Sequence, residues 1–141
     1  MWTRRAAGFT LIELMTVILI IGLLAAVVIP KFLSASEKAK ASEFPVMLNA
    51  MYTGQISYHL EHGLYANDVQ ILKDSAGIDI ASSGKWFGYS LPVATTTSFS
   101  GKAQVNVPGF GNALPSDTAG IDQDNLKSCS SNLERYCPNW K

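Results

Sequence analysis

An α+β fold follows from three features of this 141-residue chain. A run of 21 residues, Phe9 to Ile29, is apolar or small except for one acid, Glu13. A helical, amphipathic pattern continues that run to about His62. Short strand-like segments separated by turn residues fill the last third. The expected architecture is one long N-terminal α-helix, hydrophobic in its first half and amphipathic in its second. It packs on a small antiparallel β-sheet of three to four strands.

The first run is long enough to span a bilayer. As a helix it rises about 31 Å at ~1.5 Å per residue, against a hydrocarbon core of ~30 Å. A secretory signal peptide fits poorly, since its apolar region runs ~7–15 residues and ends at a small-residue cleavage site. This run reaches Pro30-Lys31-Phe32 without such a site. A plain anchor fits the length but leaves Glu13 unexplained, because an acid at the centre of a membrane helix costs ~2.5–3.5 kcal/mol. Arg4 and Arg5 precede the run and place the N-terminus in the cytoplasm by the positive-inside rule.

Helix character continues beyond Pro30 through an Ala/Lys/Glu/Ser-rich stretch to Ser42. Phe44, Leu48, Met51, Tyr52, Ile56 and Leu60 then recur at three- and four-residue steps, a stripe that faces a core. Pro30 and Pro45 each remove a helical hydrogen bond and favour kinks. Gly22 and Gly54 are placed for local give, and Gly63 for the helix stop. A short helix is expected at Asp68 to Asp74, capped by Asn67. Trp86 to Val93 reads as a strand, with Pro92 marking an edge or an end. Ser98 to Val107 reads as a second. Ala119–Ile121 and Leu126–Cys129 read as a third and its partner around the turn Asp122-Gln123-Asp124-Asn125.

Eleven basic and eleven acidic residues give a formal net charge of zero, so no nucleic-acid partner is expected. His59 and His62 stand at a metal-compatible spacing, but no third ligand is evident. Asp117, Asp122 and Asp124 lack the full calcium-loop pattern, and an Asp/Asn turn explains the last two. Trp86, Phe87 and Tyr89 read as core and cross-strand packing. No nucleophile–base pair, phosphate loop or zinc spacing appears, so no catalytic site, metal or cofactor is expected.

Gly8-Phe9-Thr10-Leu11-Ile12-Glu13-Leu14 resembles the class III signal of type IV pilins and of the related pseudopilins of type II secretion. The resemblance is specific over roughly residues 4–32. It implies a leader, residues 1–8, cut by a prepilin peptidase between Gly8 and Phe9, with N-methylation of Phe9. It implies a membrane and filament-core helix over residues 9–30 and a periplasmic or extracellular pilin domain over residues 31–141. Glu13 then gains a role: in a bundle of helices it meets the Phe9 amine of a neighbouring subunit and fixes axial register, as a buried polar residue does in a coiled coil. The implied partners are the inner membrane, its assembly platform and further copies of the chain in a helical homopolymer. Outside the cytoplasm the two cysteines, Cys129 and Cys137, favour a disulfide, and their position resembles the C-terminal disulfide loop of many pilins. The expected function is that of a structural subunit of a type IV pilus. A pseudopilin and a minor pilin acting as a binding module are the alternatives. The segment HGLYANDVQIL lacks the longer run typical of major pseudopilins and favours the pilus.

Overall fold

The structure, a computed structural model, describes residues 8–80, 83–107, 113–137 and 140. Arg4 and Arg5 lie outside the described residues. Helix α1 spans Leu11–Ala41 and α2 spans Glu43–His62, separated by a turn at Ser42. Two compact units divide within α1, one ending at Ser36 and the other beginning at Glu37.

The break between the helices has a local cause. Pro45 has no N–H to offer the carbonyl four residues back, and its ring crowds that carbonyl. That carbonyl belongs to Ala41, where α1 ends. Within α2, Pro45 occupies the first turn, where a missing donor costs little. Pro30, in contrast, lies inside α1, and the helix runs through it without interruption.

In the second unit, α2 lies on a four-stranded antiparallel meander in the order β1-β2-β3-β4. The strands are β1 Phe87–Ala94, β2 Phe99–Val105, β3 Thr118–Asp122 and β4 Lys127–Cys129. In β2 the residues Phe99, Gly101, Ala103 and Val105 alternate inward, which is the period of a strand with one buried face. β1 is an edge strand, and its register with β2 skips between Ser90 and Val93. Pro92 sits in that skip, where no ladder donor is needed.

The stripe on α2 differs from the expected one. Phe44, Leu48, Met51 and Gln55 are fully buried, whereas Leu60 is 81% exposed. At about 100° per residue, Leu60 lies about 160° around the helix from Phe44, on the far face. Gly54 is a packing residue rather than a flexible one. A Cβ there would sit 3.0 Å from the Ile78 Cδ1, so the missing side chain lets the Leu72–Ile78 region approach the helix. Gly63 ends α2 as expected. It adopts φ 73° and its N–H donates to the His59 carbonyl at 2.8 Å, a left-handed cap suited to glycine.

Helix α3 spans Val69–Ala76, and its cap is Asp68 rather than Asn67. The Asp68 side chain accepts the Gln70 N–H at 2.8 Å from an extended backbone. The core gathers around rings. Phe44 meets Phe87 at 5.1 Å and Trp140 edge-on at 5.3 Å, and Phe99 meets Tyr65 at 4.9 Å.

Candidate assembly site

Gly8, Phe9 and Thr10 precede the helix, which begins at Leu11. Thr10 caps it. The Glu13 N–H donates to the Thr10 Oγ1 at 3.3 Å, and the Thr10 N–H donates back to the Glu13 carboxylate at 3.1 Å. The Thr10 hydroxyl gives that carboxylate a further bond at 2.9 Å. This reciprocal pair is a capping box, which satisfies two donors that a helix start leaves orphaned. Glu13 therefore has partners within its own helix, at the end where the helix dipole favours an anion. The spacing Thr-x-x-Glu before an apolar run carries that signal in the sequence, although the motif there assigns a role to Glu13 and none to Thr10.

Beyond the cap, large apolar side chains are exposed from Leu11 to Leu33 on every side of the helix, among them Ile18, Leu23, Val28 and Phe32. By length and composition this is the one helix among the described residues that could cross a membrane. So much apolar surface requires a lipid or protein environment. The arrangement brings Phe9 next to the Thr10–Glu13 cap and keeps Glu13 as the single charge between Leu11 and Ile29.

The C-terminal loop is closed covalently. Cys129 and Cys137 form a disulfide, with Cα atoms 6.6 Å apart. Inside the loop, Leu133 is fully buried, and Tyr136 donates its O–H to Glu37 at 2.8 Å. Breaking the bridge with Cys129→Ser should lower stability by roughly 2.5 kcal/mol on the loop-entropy account. Thermal unfolding with and without reductant checks this. The wild type should lose that stability on reduction, and the variant should be indifferent to reductant.

Asp117 organises the same region. Its carboxylate accepts the Leu114 N–H at 2.6 Å, the Ser130 hydroxyl at 3.0 Å and the Asn132 amide at 3.1 Å. These bonds, the backbone one foremost, hold its carboxyl below the usual carboxylate range. The sign of the pH effect follows. The unfolded group titrates near ~3.9, so its contribution is present above that pH and is lost as pH falls through the lower folded value. Asp117→Asn should therefore be less stable than wild type at neutral pH, with the gap narrowing below about pH 4. Paired melts across that range decide it.

The remaining candidates have structural partners. Asp122 accepts the N–H groups of Asp124 and Leu126, closing the β3–β4 turn. His59 stacks on Tyr65 at 4.3 Å and His62 on Tyr58 at 4.1 Å. Among the described residues no three His, Cys, Asp or Glu side chains cluster as a metal site. Phe87 and Tyr89 are buried. Burial, with Glu43 alongside, pushes the Tyr89 hydroxyl's pKa up, and its O–H donates to Glu43 at 3.1 Å.

Comparison with known proteins matches residues 3–29 to the prokaryotic N-terminal methylation motif. The chain is 48% identical over 63 residues to the type IV major pilin protein PilA of Myxococcus xanthus, covering 45% of this chain and 29% of that protein. It is 40% identical over 78 residues to the type IV major pilin protein PilE of Neisseria gonorrhoeae, covering 55% and 44%. With the type IV wide pilus major component PilA4 of Thermus thermophilus it shares 42% over 65 residues, covering 46% and 50%. The chain thus spans half or less of the length of these relatives. With a methylation motif on a capped, apolar helix, the N-terminal part of this chain is similar to that of type IV major pilins.

Proposed function

We propose that this chain is a structural subunit of a type IV pilus, polymerised through its N-terminal helix. The observation that carries the reading is the apolar helix surface from Leu11 to Ile29, exposed along its length and bearing Glu13 alone as a charge. A membrane serves that surface before assembly and neighbouring helices serve it afterwards. The identity to major pilins supports a pilus over a secretion pseudopilus.

In this reading residues 1–8 are the leader, with Arg4 and Arg5 on the cytoplasmic side. A prepilin peptidase cuts between Gly8 and Phe9, and Phe9 is N-methylated. Residues 9–30 anchor the subunit in the inner membrane and then form the filament core. Residues 31–141 face the periplasm and, after assembly, the exterior. An inner-membrane assembly platform is the other partner, and no enzymatic role or cofactor enters.

Cutting creates an amine on Phe9, and Glu13 of a neighbour satisfies it in the filament. Within the monomer the Thr10 cap satisfies Glu13 until that exchange occurs. Replacing Gly8 with a bulky residue tests the processing step. Unprocessed chain should accumulate in the membrane and surface filaments should vanish. Normal filaments from that variant would refute cleavage at this site.

A further inference from the structure

A groove of about 480 Å³ opens in the folded unit. Ala41, Pro45, Tyr136 and Trp140 give it apolar and aromatic walls, and Lys38 and Arg135 stand at it as cations. Both cations are exposed. Two of its rings carry a cation, and Trp86, outside its lining, carries two. Lys40 and Lys85 lie over Trp86 at 4.5 and 5.1 Å, Lys127 over Trp140 at 5.6 Å, and Arg135 over Tyr136 at 5.9 Å.

The charges of residues 37–140 are unevenly shared. Three of the seven bases meet this groove: Lys38 and Arg135 line it, and Lys127 lies over its Trp140 wall. Glu37, Glu43 and Glu134 adjoin lining residues in sequence, while six of the ten acids, Glu61, Asp68, Asp74, Asp79, Asp122 and Asp124, belong to the end of α2, to α3 and its flanks, and to the β3–β4 turn. Glu37, beside the groove, accepts the Tyr136 hydroxyl.

We propose that this groove holds the anionic headgroup of a phospholipid, docking the folded unit on the membrane surface before assembly. Two observations select that occupant. The first is complementarity: cations beside aromatic rings suit the layer between hydrocarbon and water, where Trp and Tyr concentrate and lysines extend to headgroups. The second is continuity with the span. Lys38 follows Leu33, the last exposed large apolar side chain of the run, by five residues in the sequence.

The proposal rests on the membrane-anchor reading, and one experiment separates the two. The full chain, carrying Trp2→Phe and Trp86→Phe so that Trp140 reports alone, is reconstituted into two kinds of vesicle. One is phosphatidylcholine, and the other is phosphatidylcholine mixed with phosphatidylglycerol. Both contain a headgroup-nitroxide lipid that quenches fluorescence. Trp140 should be quenched more in the anionic vesicles, and high salt should reverse the difference. Each cation near an anionic surface is worth roughly fivefold in such an equilibrium. Lys38→Gln with Arg135→Gln should therefore lower the docked-to-free ratio by about thirtyfold, while Lys73→Gln with Lys102→Gln should leave it nearly unchanged.

Equal quenching in both vesicles, with the chain retained through an alkaline wash, overturns the docking and leaves the anchor intact. A chain lost in that wash overturns both. Loss of the signal on adding inorganic phosphate at fixed ionic strength marks a small-anion site and overturns the lipid assignment.

Discussion

Glu13→Ala is expected to abolish or derange filaments while leaving the subunit in the membrane with its folded unit intact. Two effects compete in the monomer. Losing the acid makes the helix more apolar and favours insertion. Losing the capping box with Thr10 costs about 1 kcal/mol of helix start. These nearly offset, so membrane levels should change little. The filament has no such offset. Without the carboxylate, the amine on Phe9 of a neighbouring subunit is stranded among apolar side chains. Stranding one partner of a buried pair costs ~3–5 kcal/mol, and a polymer repeats that cost at every subunit. Thr10→Val separates the two roles, because it removes the cap hydroxyl and keeps the carboxylate. It should weaken the helix start by about 1 kcal/mol and still allow filaments. Membrane level and surface filaments, measured together in both variants, check the pair of outcomes. Filament loss in Thr10→Val equal to that in Glu13→Ala would assign the effect to the cap.

Gln55→Ala is expected to unfold or strongly destabilise the sheet-bearing unit. Gln55 is fully buried, and its side chain spans the gap to the loop after α2. Its Nε2–H donates to the Ala66 carbonyl at 2.7 Å, and the Ala66 N–H donates to its Oε1 at 2.8 Å. Ala66 is itself buried, so water cannot replace the lost partners. Each buried group left unsatisfied costs about 1–3 kcal/mol, which puts the loss at roughly 2–6 kcal/mol for the two. Many small domains hold only ~5–15 kcal/mol in all. Denaturant melts of the two chains measure the difference. Gln55→Glu supplies a check on the mechanism. A carboxylate can accept from the Ala66 N–H but cannot donate to its carbonyl, and the protonated acid can do both. That variant's folded pKa should be raised, so its stability should recover as pH falls toward the carboxylate range. A Gln55→Ala variant within ~0.5 kcal/mol of wild type would show that this bond pair does not hold the loop.

The residues that sequence reasoning reached and missed divide along a physical line. The apolar run and the strands Phe87–Ala94 and Phe99–Val105 are legible because burial imposes a period on side chains that prefer to be buried. Gly63 is legible because a left-handed cap selects glycine. Gln55 breaks the pattern: a polar residue on an apolar stripe reads as exposed, and only the fold reveals that its amide matches a distant backbone. Leu60 fails in the opposite sense, since a three- or four-residue step from one neighbour does not guarantee the same face after several turns. Asp117 reads in sequence only as one of three acids short of a calcium loop, because its partners Ser130 and Asn132 are brought to it by strand pairing. Asn67 and Asp68 are equally good caps by type, and the backbone conformation decides between them. At the assembly site the motif through Glu13 was readable, while the engagement of Glu13 by Thr10 required geometry.

The central claim is that the chain is processed at Gly8–Phe9 and polymerises through the helix so exposed. Intact mass of the principal protein in filaments sheared from the cell surface tests it most directly. The expected species is a chain beginning at Phe9, carrying one N-terminal methyl group and an oxidised Cys129–Cys137 pair. A principal filament protein that retains Arg4 and Arg5, or filaments that lack this chain altogether, would contradict it.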